Sequence, residues 1–114
     1  MTIYSVGTAK EVVLALIDAI NKEDFQLART YAMPDMRFDG VLGTRDGAEA
    51  YFHDMEKMKL KYDIKKVFVE GNDVCLLYDL DMSGTTIFGC GWYTVEDGKV
   101  KLLKVIFDPR PLLK

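Results

Sequence analysis

Two aspartates, Asp39 and Asp46, stand in the glycine-rich stretch Met36-Arg37-Phe38-Asp39-Gly40-Val41-Leu42-Gly43-Thr44-Arg45-Asp46-Gly47, between apolar segments. A carboxylate leaving a strand at the mouth of an apolar pocket has its pKa raised by desolvation and can abstract a proton next to a carbonyl. Asp39, followed by Gly40, suits that role as a general base. The competing reading is an Asp-Gly turn in which the carboxylate bonds nearby backbone N–H groups. Asp46 reads as a helix N-cap, because Asp46-Gly47-Ala48-Glu49 has capping-box spacing. His53, the single histidine, falls at the edge of an apolar helical stripe and reads as exposed or bonded to Asp54 or Glu56.

Other chemistries have less to draw on. Histidine clusters are absent and the carboxylates show no ligand spacing, so neither a metal nor another cofactor is expected. Cys75 and Cys90 lie outside any CxxC pattern, within apolar strand-like segments, and read as reduced core thiols. A net charge of −3 and a pI near 5.1 supply no basic face for nucleic acid. The longest apolar stretches fall short of the ~20 residues that span a bilayer. Met1 to Thr8 lacks the basic start and apolar run of a signal peptide, and a soluble cytoplasmic protein without membrane contact is the expectation.

The elements that must position these groups follow from periodicity. Thr8-Ala9-Lys10-Glu11 has the form of a capping box, and Val12, Val13, Leu16, Ile17 and Ile20 recur at helical spacing behind it. Asp24 caps a second helix with Phe25, Leu27, Ala28 and Tyr31 on its apolar side, running to Pro34-Asp35. A third carries Ala48, Tyr51, Phe52, Met55 and Met58. After Lys59 the period changes to two. Strands are expected over Tyr62 to Glu70, Val74 to Met82, Thr86 to Val95 and Val100 to Phe107, with turns at Gly71-Asn72-Asp73, Ser83-Gly84 and Glu96-Asp97-Gly98. Lys65-Lys66 break the alternation and mark a bulge or an exposed edge. Such short connections require antiparallel neighbours. With 114 residues, 49% of them hydrophobic, and no linker or repeat, the chain reads as one α+β domain with three helices packed on one face of a curved antiparallel sheet.

A capped first helix, a short second helix, a strand around "MRFDG", a loop "GVLGTRDG" opening the third helix and long strands ending in "VIFDPRPLL" resemble the nuclear transport factor 2-like superfamily. Within it the chain is most similar to the SnoaL-like and ketosteroid isomerase-like branch. The resemblance implies a cystatin-like cone of helices and bent sheet around an apolar pocket, commonly as a homodimer through the sheet. It places the isomerase's general base on Asp39. It also places that enzyme's oxyanion-hole tyrosine at about Leu16 and its protonated aspartic acid near Gly91, neither of which can donate a hydrogen bond from its side chain.

The same alignment lines the pocket with Tyr93, Leu103, Val105 and Phe107 from the strands and Leu16, Phe52 and Met55 from the helices. Gly89 and Gly91, alternate residues of one strand, clear side chains from one face at a bend or at a place of close approach. Phe88, Cys90 and Trp92 share the other face, which a twofold dimer would bury. Two functional readings result: a non-catalytic binding or scaffold protein for a small apolar molecule, and a lyase, isomerase or hydrolase using Asp39 as base. The unmatched oxyanion donors favour the first.

Overall fold

The structure, a computed structural model, describes residues 8–112. The residues before Thr8 and the final Leu113 of the "VIFDPRPLL" segment lie outside that range. Helix α1 (Ala9–Asn21) starts where the capping box predicts: the Thr8 side chain accepts from the Glu11 N–H, and the Glu11 carboxylate accepts from the Thr8 N–H at 2.8 Å. Its apolar stripe, from Val12 to Ile20, is buried against the sheet.

Helix α2 (Phe25–Arg29) is capped by Asp24 but is shorter than the sequence predicts. The Thr30 hydroxyl donates to the Leu27 carbonyl at 2.6 Å, satisfying the last turn, and the chain enters strand β1 (Ala32–Asp39) with Pro34 inside it. The proline is tolerated because the pairing of β1 slips between Ala32 and Arg37, and its other neighbour, β2 (Thr44–Asp46), begins pairing only at Arg37. On α2, Ala28 is buried and Leu27 faces solvent.

Helix α3 (Ala48–Met58) departs from its predicted capping. Its N-cap is Gly47, at φ 93°, with no side-chain cap. Gly47 donates to the Met36 carbonyl at 2.8 Å, which ties the helix start to β1 through a backbone conformation that disfavours other residues. Asp46 therefore belongs to β2 and not to the helix.

Strands β3 (Lys61–Glu70), β4 (Asp73–Met82), β5 (Thr85–Glu96) and β6 (Lys99–Phe107) form the antiparallel meander. The whole sheet has the order β2-β1-β6-β5-β4-β3, with β1 parallel to β6. No hairpin joins that parallel pair, so nothing local fixes its direction. On the edge strand β3 the register shifts between Ile64 and Lys66, placing the bulge at the predicted lysines.

Alternation assigns the two faces of the sheet. Leu76, Tyr78, Leu80, Tyr93 and Leu103 point inward to the helices. Phe68, Cys75, Cys90, Trp92 and Ile106 point outward. The cysteines thus depart from the core placement expected of them: both are free, half-buried and on the outer face, with their sulfurs 3.5 Å apart.

Candidate functional site

The inner face opens, beside the C-terminal half of α3, into a cavity of about 370 Å³. Its floor is sheet: Tyr62 of β3, Tyr78, Leu80 and Met82 of β4, and Val105 and Phe107 of β6. Tyr51, Asp54, Met55 and Met58 of α3 form one wall, followed by Leu60. The loop Gly40 to Gly43 and Arg45 form the mouth. The register explains the floor, because Tyr62 lies opposite Leu80, Ile64 opposite Tyr78, and Tyr78 opposite Gly89, which in turn faces Phe107.

Tyr62 is placed by α1. The side-chain amide of Asn21, at the end of that helix, accepts from the Tyr62 N–H at 2.8 Å and donates to the Tyr62 carbonyl at 3.0 Å. One side chain thus supplies the two bonds that an adjacent strand would otherwise provide. The Tyr62 ring meets Tyr78 edge-on at 4.9 Å between centroids, and Tyr51 packs at a tilt against Phe38 at 5.3 Å.

The β5 glycines make space that tyrosines occupy. A Cβ on Gly91 would lie 2.8 Å from Cε1 of Tyr93 and 3.3 Å from the Tyr78 hydroxyl, and one on Gly89 would lie 3.2 Å from Cε1 of Tyr78. Burial pushes the Tyr78 and Tyr93 hydroxyls well above the ordinary tyrosine range. Tyr62 is pushed up to about 12, again by burial, with the neighbouring Tyr51 holding back the rise.

Of the residues expected at the site, Met55, Val105 and Phe107 line this cavity. Leu16, Phe52, Gly91, Tyr93 and Leu103 do not; Leu16, Phe52, Tyr93 and Leu103 are packed in the core, with the Tyr93 ring over Gly91. Asp39 is not a lining residue either. Met36 is buried and Phe38 turns inward to the cavity, so alternation along β1 sends Arg37 and Asp39 to the other face. There Arg37 donates from Nε to Asp39 at 3.0 Å and from Nη1 to Asp46 at 2.9 Å, holding both aspartates of the glycine-rich stretch.

The carboxylate that does line the cavity is Asp54, which accepts from Arg45 Nε at 2.8 Å. Sequence reasoning passed over Arg45, Asp54, Tyr51 and Tyr62 as site residues. A signal existed for two of them: on a helix whose Tyr51 and Met55 face inward, Met58 and Asp54 complete the i, i+3, i+4, i+7 stripe. His53, one position away, is exposed. Among the described residues no group of three or more histidine, cysteine, aspartate or glutamate side chains could hold a metal ion, and no helix is long and apolar enough to cross a membrane.

A three-helix layer on a curved, mostly antiparallel six-stranded sheet, open at one end, defines an α+β fold of the nuclear transport factor 2-like class. Residues 13–103 match the SnoaL-like domain family, and the chain belongs to it. It is similar to an NTF2-like protein of unknown function from Cytophaga hutchinsonii, with 48% identity, a TM-score of 0.92 and coverage of 94% of this chain and 96% of that one. A protein from Kribbella flavida shares 25% identity at a TM-score of 0.84, covering 96% of this chain and 93% of that chain. An LEH-like epoxide hydrolase from M. tuberculosis shares the fold at 20% identity and a TM-score of 0.78, over 92% and 86% of the two chains. No curated protein matches the chain detectably in sequence.

Proposed function

We propose that the protein binds a small apolar molecule in this cavity without transforming it, as a homodimer joined through the outer face of the sheet. The observation that carries the reading is the composition of the lining. It is mostly aromatic, aliphatic and methionine-rich, contains no histidine, and its charged members are Asp54, already paired with Arg45, and the exposed Lys57. Such a surface gains free energy by removing apolar ligand area from water. It offers no unpaired base for proton transfer. Asp39, the base of the alternative enzymatic reading, is held by Arg37 on the opposite face of β1.

The dimer reading rests on the outer face, where Phe68, Phe88, Trp92 and Ile106 are 56%, 59%, 44% and 71% exposed. Three of them fall in two adjacent cross-strand rows, Phe68–Cys75–Trp92 and Leu77–Cys90–Ile106. An apolar sheet face of this kind is covered by a twofold mate in a symmetric oligomer.

Native mass spectrometry of the protein mixed with a panel of neutral aromatic and aliphatic compounds tests the binding reading. One molecule per chain is expected, and Met58→Trp, which fills the mouth from a partly exposed position, should abolish it. Binding that survives Met58→Trp would place the ligand elsewhere. Turnover of a bound compound that disappears in Asp39→Asn or Asp54→Asn would replace the binding reading with a catalytic one.

A further inference from the structure

Building on the reading of the cavity as a small-molecule site, we infer that its ligand is amphipathic: an apolar body that occupies the interior and a single anionic group, of the carboxylate kind, held at the mouth by the Lys57 ammonium. Lys57 stands in the last turn of α3, lines the cavity and is exposed. A lysine so placed lays its stem along the apolar rim and keeps its charge in water. Every carboxylate of its own helix is engaged elsewhere: Asp54 with Arg45 at 2.8 Å, and Glu49 and Glu56 with Arg29, each at 2.8 Å. Lys57 takes part in no ion pair among the described residues. The lining holds three charged side chains, Arg45, Asp54 and Lys57, and once the first two neutralise each other one positive charge is left. That excess arises in a chain whose net charge is −3.

The position and sign of this charge set the chemical class. The buried and half-buried part of the lining, which includes Phe38, Tyr51, Met55, Leu80 and Phe107, offers no counter-charge, so an anion among those side chains would be left unpaired. The charged end of the ligand therefore belongs at the mouth, where it keeps its water and gains the attraction of Lys57, while the apolar body gains by leaving water. Asp54 borders the same space and repels further negative charge, which favours a monoanion over a doubly charged phosphate ester. A cationic ligand would meet Lys57 as a like charge. Lys57 also complements the carbonyl end of α3. That role is indifferent to the ligand, so a titration separates the two.

Three probes that share one apolar body test this: 3-(2-naphthyl)propanoate, its primary amide, and 3-(2-naphthyl)propylamine, which is protonated at neutral pH. Their affinities are measured by titration calorimetry against the wild-type chain, Lys57→Gln, Lys57→Arg and Lys10→Gln. Lys10 is an exposed lysine of α1 that does not line the cavity, and its substitution removes the same charge. The wild type is expected to bind the propanoate more tightly than the amine. Lys57→Gln should lower the propanoate-to-amide affinity ratio roughly two- to fivefold, the range for an ion pair at an exposed site. Lys57→Arg, which keeps the charge, and Lys10→Gln should preserve the ratio. Raising the salt from about 50 to about 500 mM should shrink the ratio in the wild type and leave it nearly constant in Lys57→Gln.

Probes that bind with a ratio unaltered by Lys57→Gln overturn the anionic inference, leave the apolar site standing and confine Lys57 to the helix end. An equal fall of the ratio in Lys10→Gln overturns Lys57 as the anchor, because the net charge of the chain would then account for the preference. Tighter binding of the amine than of the propanoate by the wild type overturns the sign of the charge. Failure of all three probes to bind overturns the inference together with the site reading beneath it.

Discussion

Gly91 shows how a single hydrogen atom in place of a methyl group organises this interior. The Tyr93 ring and the Tyr78 hydroxyl both lie over it, and a methyl there would meet Tyr93 at 2.8 Å. Gly91→Ala would ordinarily favour a strand, but overpacking against a ring that is 1% exposed outweighs the backbone gain. We expect a loss of about 1–3 kcal/mol, seen as a lower midpoint in thermal or urea unfolding. The buried tyrosines also set an alkaline limit. The Tyr62 pKa is raised by burial to about 12, so the folded state holds this proton more tightly than the unfolded chain. Its contribution to stability is complete below the unfolded tyrosine value near 10 and is lost as pH rises from there through about 12. Near-ultraviolet absorbance should show Tyr51, Tyr62, Tyr78 and Tyr93 ionising only together with alkaline unfolding, and ionisation of all tyrosines near the ordinary value in a folded chain would contradict this. The aspartates teach a narrower lesson about what the sequence discloses. Asp39 was recognisable as a residue to test, yet its direction hinged on Phe38 turning inward. The Arg37 bridge to Asp46 needed the β1–β2 pairing, which brings Arg37 opposite Asp46.

At the scale of elements, the connection from α1 to the cavity floor runs through Asn21. Its two bonds to the backbone of Tyr62, 41 positions on in sequence, are 2.8 and 3.0 Å long and anchor the start of the meander's first strand to the end of the first helix. Removing them in Asn21→Ala should destabilise the fold by about 1–3 kcal/mol, since partly buried backbone groups lose their partners. Ligand affinity should fall as well, because Tyr62 loses its anchor. Asn21→Ala with unaltered unfolding midpoint and affinity would show that β3 holds Tyr62 alone. The meander, its turns and the lysine bulge were legible because each depends on local pattern: period two, turn residues and a break in alternation. The course of β1 was not. Pro34 is a strong local stop signal, overridden here by a tertiary slip in pairing between Ala32 and Arg37. The three-residue β2 is too short for periodicity to reveal. Helix α3 lost its predicted cap for a related reason, since Gly47 is committed to the Met36 carbonyl.

For the whole molecule, the two faces of one sheet divide the proposed functions. Phe68, Trp92 and Ile106 leave an apolar outer surface, and the same strands floor the cavity on their inner side. Ile106→Glu, at a position 71% exposed, should leave the fold intact and convert a dimer to a monomer by light scattering. A monomeric wild type would refute the dimer directly. The cone itself could be anticipated from the order of elements, whereas which inward residues border open space and which fill the core could not. Tyr93 and Phe107 share an inner face and differ only in what packs upon them. The proposed function depends most on that open space being a binding site, and the methionines around it provide the reporters. Met55, Met58 and Met82 line the cavity, while Met33 and Met36 do not. With methyl-labelled methionine, NMR titration of 2-isopropenylnaphthalene should shift Met55, Met58 and Met82 to saturation and leave Met33 and Met36 in place. Resonances that stay still at all three cavity methionines, or move at all five alike, would contradict a small-molecule site there.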